Sequence, residues 1–235
     1  MAQKFFDIPG VGPVLVSKRR GSRNIRLSIN SKGQARVSLP SWTPYAVGVA
    51  FARERRDWIA KHSKSNEQLA LKENDRIGKS YRLKFYSRPQ STRLSARVSS
   101  NEIAITVPPS ASPRDVQQKA VAASEKALRA EAETLLPHRL KQLSIEHGYS
   151  YKSVRIAKLT SRWGSCSSTG QISLSYFLVQ LPWQFIDYVI IHELVHTRHH
   201  NHGAGFWSDF KTALPEARQL QKQIRKFKPI VQATN

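Results

Sequence analysis

Apolar and polar side chains alternate in short runs along the N-terminal half of the chain, the period-two pattern of strands with one face buried. Residues 14–17, 25–29 and 35–39 read this way, with a turn at 31–34 and Pro40 closing the last run. A helical period then predicts a helix over 44–60, started by Ser41 or Thr43 and burying Val47, Phe51, Trp58 and Ile59. The plan recurs: strands at 81–85, 93–98 and 103–107, a turn at 99–101, closure by Pro108 and Pro109, and a helix after Ser112-Pro113. The likeness is one of pattern rather than identity. It predicts a duplicated β-β-α unit, with the polar stretch 66–79 as connector.

From Pro113 onward the period is helical. Val116, Ala120, Val121, Ala123, Ala127, Leu128, Ala132, Leu135 and Leu136 form one stripe, Pro137 predicts a kink or a division, and Gly148 predicts a stop. Residues 154–157 and 171–175 read as strands on either side of a glycine- and serine-rich loop at 161–170. Pro182 suits the first turn of a further helix that buries Phe185, Ile186, Val189, Ile190, Leu194 and Val195, and residues 219–228 read as a basic helix. The fold class is therefore α+β: a β-rich region over 1–111 and, over 112–235, a helical domain carrying a small antiparallel sheet.

Composition narrows the setting. With 40% hydrophobic residues the chain can build a sizeable core. Residues 1–12 lack a basic region followed by an apolar run, and no stretch reaches the length of a membrane span, so a cytoplasmic location without membrane contact is expected. Cys166 is the sole cysteine, which excludes an internal disulfide and a thiolate zinc cluster within one chain. The net charge of +22, spread over both halves, fits either a polyanionic partner (nucleotide or nucleic acid) or a general solubilising surface.

The chemistry concentrates in one segment. Five of the eight histidines fall within residues 190–202, and the segment contains His192-Glu193-Leu194-Val195-His196. On a helix, residues four apart lie one above the other, so both imidazoles can meet one ion while Glu193 holds a water near it. A hydrolytic zinc site needs a third protein ligand and an open fourth position. His202 follows His196 by six residues, in a stretch ending Gly203-Ala204-Gly205 that lets the chain turn back. His199, seven residues past His192, would sit roughly 10 Å further along a continuing helix axis, too far for a bond of about 2 Å.

The ten-residue step from His192 to His202 matches the metzincin spacing, but His199 stands where that pattern has glycine, and Met1 is the only methionine. Asn201 or His200 is then expected to take the left-handed turn conformation. Glu216 is the alternative third ligand, although Pro215 beside it fits a helix start equally well. His199 and His200 would lie outside the ligand set, and Asp187 and Asp209 either orient imidazoles or are solvated. Phe206, Trp207 and Phe210 are expected to pack the next helix against the metal helix.

Arg162-Trp163-Gly164-Ser165-Cys166, the strand Ile172-Ser173-Leu174, Asp187-Tyr188-Val189, the motif from His192 to His196, Asn201-His202 and Phe206-Trp207 together resemble the signature of the YgjP-like zinc metallopeptidases, relatives of the SprT-like peptidases. The N-terminal strand units are similar as well. The resemblance implies a zincin-like catalytic domain, Zn²⁺ held by His192, His196 and His202, Glu193 as catalytic acid/base, and an active site bordered by the loop that carries Arg162, Trp163 and Ser165. It implies a polypeptide substrate cleaved by a metal-activated water. It also brings in nucleoside triphosphate, because a member has been assigned pyrophosphatase chemistry on UTP. A basic nucleic-acid-binding protein with a vestigial metal site is a third reading. On the residues alone, the strand at 172–175 could align an extended peptide, and Arg162 could stabilise an oxyanion or grip phosphate. The loop could equally be a plain hairpin with Trp163 plugging the core.

Overall fold

The computed structural model describes residues 3–29, 34–63, 70–227 and 229–231, so most of the turn expected at 31–34 and the start of the 66–79 connector lie outside the described residues. The chain divides into two compact units at Ala70/Leu71, and each has its own hydrophobic core.

The first unit is a four-stranded sheet followed by two helices. Strands β1 (Gln3–Ile8), β2 (Gly12–Arg19), β3 (Arg26–Ile29) and β4 (Ala35–Pro40) run in the order β1-β2-β4-β3, then come α1 (Tyr45–Glu54) and α2 (Arg56–Ser63). The central β2–β4 pair is parallel and the outer pairs are antiparallel. Strand alternation sends Val14, Val16, Val37 and Leu39 into the core. The helix expected over 44–60 breaks at Arg55, and its buried face is the expected one only in part: Ile59 is buried and Phe51 packs half-buried on the core, but Val47 and Trp58 are exposed, and Gly48 and Ala52 are buried. Close approach explains this. A Cβ on Gly48 would lie 2.9 Å from Val16 Cγ1, so α1 meets the sheet most closely through Gly48 and Ala52, with Tyr45, Val49 and Phe51 packed half-buried beside them and Val47 turned outward.

The second unit opens with the same construction. Strands β5 (Arg76–Ile77), β6 (Tyr81–Ser87), β7 (Ser95–Val98) and β8 (Glu102–Val107) run in the order β5-β6-β8-β7, again with a parallel pair between antiparallel ones. The duplication is therefore real and larger than the pattern predicts, four strands and a helix rather than β-β-α. The edge strands β1 and β5 leave no clear alternation because β5 has two residues and β1 is mostly exposed.

Helix α3 (Pro113–Glu146) begins where expected: Ser112 Oγ accepts the Asp115 N–H at 3.2 Å, with Pro113 in the first turn. It runs unbroken through Pro137, where the sequence predicts a kink or division. Buried Ala132, Leu136, Leu140 and Leu143 flank the proline and hold both halves to one core. The helix stops at Gly148 in the left-handed conformation, with the Tyr149 N–H on the Ser144 carbonyl at 2.8 Å.

Strands β9 (Ser153–Ala157), β10 (Gly164–Cys166) and β11 (Gln171–Ser175) form a sheet in the order β10-β11-β9. The β10–β11 pair is antiparallel and β11–β9 parallel, so the sheet expected to be antiparallel is mixed. A 3-10 turn at Tyr176–Gln180 leads into α4 (Trp183–Val195), followed by α5 (Ala204–Ala213) and α6 (Ala217–Ile224). Arg139 of α3 donates from Nε and Nη2 to both carboxylate oxygens of Asp187 at 2.6 Å. Asp187 thus ties α4 to α3 and neither orients an imidazole nor stands in solvent. One core joins Leu83, Ile103 and Ile105 of the β6–β8 sheet to the α3 stripe and to Leu174, Ile190, Leu194 and Phe206. A boundary between 111 and 112 would cut that core, and the division by contacts falls at Ala70/Leu71 instead. Among the described residues no helix is long and apolar enough to cross a membrane.

Candidate metal centre

Helix α4 buries Phe185, Ile186, Val189, Ile190, Leu194 and Val195, as its pattern predicts, and carries His192 and Glu193 in its last turn. It ends at Val195, with His196 at the cap, and the N–H groups of Thr197, Arg198 and His199 fold back onto the Leu194 and Val195 carbonyls. The reversal that follows is not the left-handed turn expected at Asn201 or His200, and neither Gly203 nor Gly205 has positive φ. Asn201 Oδ1 instead accepts the Gly203 N–H at 3.1 Å, so a side chain stands in for the backbone turn. Gly205 is small for a different reason: a Cβ there would lie 3.0 Å from the His199 ring.

The reversal brings His202 back. The Nε2 atoms of His192, His196 and His202 lie 3.2 Å from one another in all three pairs. These three side chains form a group that could hold a metal ion among the described residues. Glu216 is instead the exposed residue that caps the start of α6, and the His199 ring turns to Asp209, with Nε2 2.9 Å from Oδ2. The carboxylate expected to orient an imidazole is thus Asp209, acting on a histidine outside the triad.

Whether the triad suits a cation can be judged from its hydrogen bonds. His196 Nδ1–H donates to the His199 carbonyl at 2.8 Å, which leaves a bare lone pair on Nε2. A single proton cannot satisfy three mutual nitrogen contacts; one cation can. Tetrahedral bonds of about 2.0–2.1 Å to nitrogen separate the ligand atoms by about 3.3 Å, close to the spacing seen. Burial, reinforced by His196 and His202, lowers the His192 pKa to about 3, and burial lowers that of His196, so both rings are neutral donors at pH 7. Phe206, fully buried on α5, packs on all three rings with centroid distances of 5.0, 4.7 and 4.7 Å.

Glu193 is buried, and burial raises its pKa to about 8, the charge of Arg162 pulling the other way. The wall beside it is β10. A Cβ on Gly164 would lie 2.8 Å from Glu193 Oε1, so only glycine leaves room for the carboxyl group. Trp163 is half-buried against the core and its carbonyl accepts the Ser175 N–H at 2.8 Å; Ser165 and Cys166 are half-buried on the same strand. Burial, with Glu193 adding to it, raises the Cys166 thiol pKa. The loop is therefore both the hairpin and the wall of the site. Strand β11, expected to align a peptide, is paired on both sides; the edges of the sheet belong to β10 and β9, and β10 is the one whose Gly164 lies beside Glu193.

Two expectations follow. Gly164→Ala should retain metal binding, lower hydrolytic turnover and lose about 1–3 kcal/mol of stability, the range for overpacking a filled site; wild-type turnover in this variant would show that the Glu193 contact is unimportant. In the metal-free protein, the raised Glu193 pKa means that the folded state keeps a proton between pH 4.5 and about 8 that the unfolded state has lost. Stability must then fall as pH rises through that window, by an amount on the order of a few kcal/mol. Glu193→Gln removes this component while leaving the opposite contribution of the histidines in place. Melting curves of the two metal-free proteins should diverge in favour of the variant from pH 5 to 8, and parallel curves would contradict a raised pKa.

Three features of the site escape the sequence pattern: the space at Gly164, the His199 carbonyl, and the contact of Phe206 with every imidazole. Gly164 lies inside the glycine- and serine-rich loop, and Phe206 sits four residues after His202 on an apolar helix face, so each leaves a trace. The carbonyl leaves none, because backbone groups carry no residue-type signal.

A helix bearing His-Glu-x-x-His, three converging imidazoles and a buried carboxyl group define a metal-dependent hydrolase. The family model for the YgjP-like metallopeptidase domain matches residues 23–227, and the chain belongs to that family, whose chemistry requires a divalent metal. Over 38% of its length it is similar to the metallopeptidase zymogen of Pyrococcus abyssi abylysin, at 26% identity, covering 91% of that chain with a TM-score of 0.36. Over 39% it is similar to the metallopeptidase zymogen of Methanocaldococcus jannaschii jannalysin, at 19% identity, covering 94% of that chain with a TM-score of 0.35. No curated protein matches the chain.

Proposed function

We propose that the protein is a zinc-dependent peptidase in which His192, His196 and His202 hold Zn²⁺ and Glu193 is the catalytic acid/base. The observation that carries the reading is the triangle of Nε2 atoms, 3.2 Å on each side, with a buried carboxyl group on the residue next to the first of them. Three imidazole nitrogen ligands with a fourth position left over are the donor set of catalytic zinc. When bound, zinc lowers the pKa of a water toward about 7 and polarises the substrate carbonyl.

The chain's own residues do the rest. Glu193 accepts the proton of the attacking water and returns it to the leaving amine. Its burial suits the second step, since a carboxyl group whose pKa is raised holds a proton well enough to deliver it to the amine. A cation at the triad would favour its charged form, setting it to act first as base. The free edge of β10 offers unpaired backbone groups along which an extended substrate can add as a further strand, and Gly164 keeps that edge close to Glu193.

The test is metal analysis of the purified protein together with hydrolysis of an unstructured polypeptide and of nucleoside triphosphates, before and after chelation. One zinc per chain and chelator-sensitive cleavage of polypeptide are expected. Hydrolysis of nucleoside triphosphates alone, supported by Mg²⁺, would overturn the peptidase reading.

A further inference from the structure

Immediately before β10 the surface opens into a cavity of about 290 Å³, lined by Leu159, Thr160, Ser161, Arg162, Trp163 and Phe177, with Pro229 closing one side. Two observations join it to the metal centre. Arg162 acts on the Glu193 carboxyl group through its charge. Trp163 is adjacent to Gly164, the residue against which Glu193 packs, and the bond from Ser175 N–H to the Trp163 carbonyl fixes that junction. A chain laid along the free edge of β10 therefore meets this cavity within about one residue of the glycine beside Glu193.

The chemistry of the lining is specific. Leu159, Trp163 and Phe177 are apolar, Thr160 and Ser161 bring hydroxyl groups, and Arg162 is exposed and makes no hydrogen bond or salt bridge among the described residues. The volume lies just below the roughly 300–1,000 Å³ typical of small-molecule sites, which suits one side chain better than a whole nucleotide. A guanidinium that no protein carboxylate occupies, at the rim of an apolar cavity, is matched by a carboxylate carried on a short apolar stem.

Building on the peptidase reading, we propose that this cavity is the subsite that selects the substrate, and that it takes a peptide residue bearing a carboxylate. The carboxylate pairs with Arg162 and the stem lies against Trp163 and Phe177. Two kinds of residue supply that chemistry: an internal glutamate or aspartate, and the last residue of a chain.

The experiment uses the metal-loaded full chain and matched peptides chosen from cleavage sites read by mass spectrometry. One pair, blocked at both ends, differs in glutamate against glutamine at a single position near the scissile bond. The other differs only in a free against an amidated C-terminus. Wild type is expected to favour the carboxylate in at least one pair by about 10- to 100-fold in kcat/KM, mostly through KM, the range for a hydrogen bond to a charged group. The pair that responds identifies the source. Arg162→Gln should bring the ratio near one, and Arg162→Glu should turn it toward a lysine-bearing peptide. Thr160→Trp, at an exposed loop position of the lining, fills the cavity without removing a charged residue and should also flatten the ratio. Each ratio is taken within one variant, so any change in Glu193 cancels. A ratio near one in wild type, or an unchanged ratio in Arg162→Gln, overturns the subsite while leaving the peptidase intact. Failure of wild type to cut any polypeptide overturns both.

Discussion

Replacing His202 by alanine is expected to lower zinc affinity far more than replacing His199 or Glu216. His202 Nε2 lies 3.2 Å from each of the other two triad nitrogens, so its loss removes one of three donors. His199→Ala leaves the backbone carbonyl that receives the His196 Nδ1 proton and removes only the ring held by Asp209. Its effect should stay within the about 10–100-fold range of changes behind the ligands. Glu216→Ala, at an exposed helix start, should have no effect. Titration of the metal-free proteins against a chromophoric zinc chelator separates the three outcomes, and a large loss confined to Glu216→Ala would reassign the third ligand.

The triad is legible in the sequence because it depends on short-range geometry. Four residues make about one helical turn, so His192 and His196 must share a face; His199 lies beyond the end of α4, and its ring turns to Asp209. The strand units are legible for the same reason: Val37 and Leu39 alternate with the polar Arg36 and Ser38, and they face one core together with Val14 and Val16.

What escapes the sequence depends on contacts between distant parts of the chain. The turn before His202 is expected to use a strained backbone conformation at Asn201, whereas the side chain of Asn201 makes the turn itself. Asp187 looks like a partner for a nearby imidazole. Its partner is Arg139, 48 residues earlier, and nothing in either local pattern announces the pair. The buried face of α1 is hard to read because large apolar residues are the usual signal for burial, and Gly48 shows that the small face can be the closer one. The boundary at 111/112 follows the change from strands to helix. A change of secondary structure is not a change of core, and Leu83, Ile103 and Ile105 pack in the same core as the metal helix.

The division of labour inside the motif gives the other large effect. Glu193→Gln is expected to keep the metal and lose hydrolysis by about 10²- to 10⁴-fold in kcat, the usual contribution of a positioned acid or base. Glutamine fills the same space against Gly164 and satisfies the same burial, so the fold and the Nε2 triangle should survive. It lacks a group that can take a proton at neutral pH and give it up again. The substitution also removes the group whose pKa burial raises to about 8, so any residual activity should lose the part of the wild-type pH profile that reports this carboxyl group. Zinc content measured on the sample used for the kinetics makes the result decisive: near-normal turnover at full occupancy would assign the proton transfers to another group, and loss of zinc would mean that Glu193 supports the metal site itself.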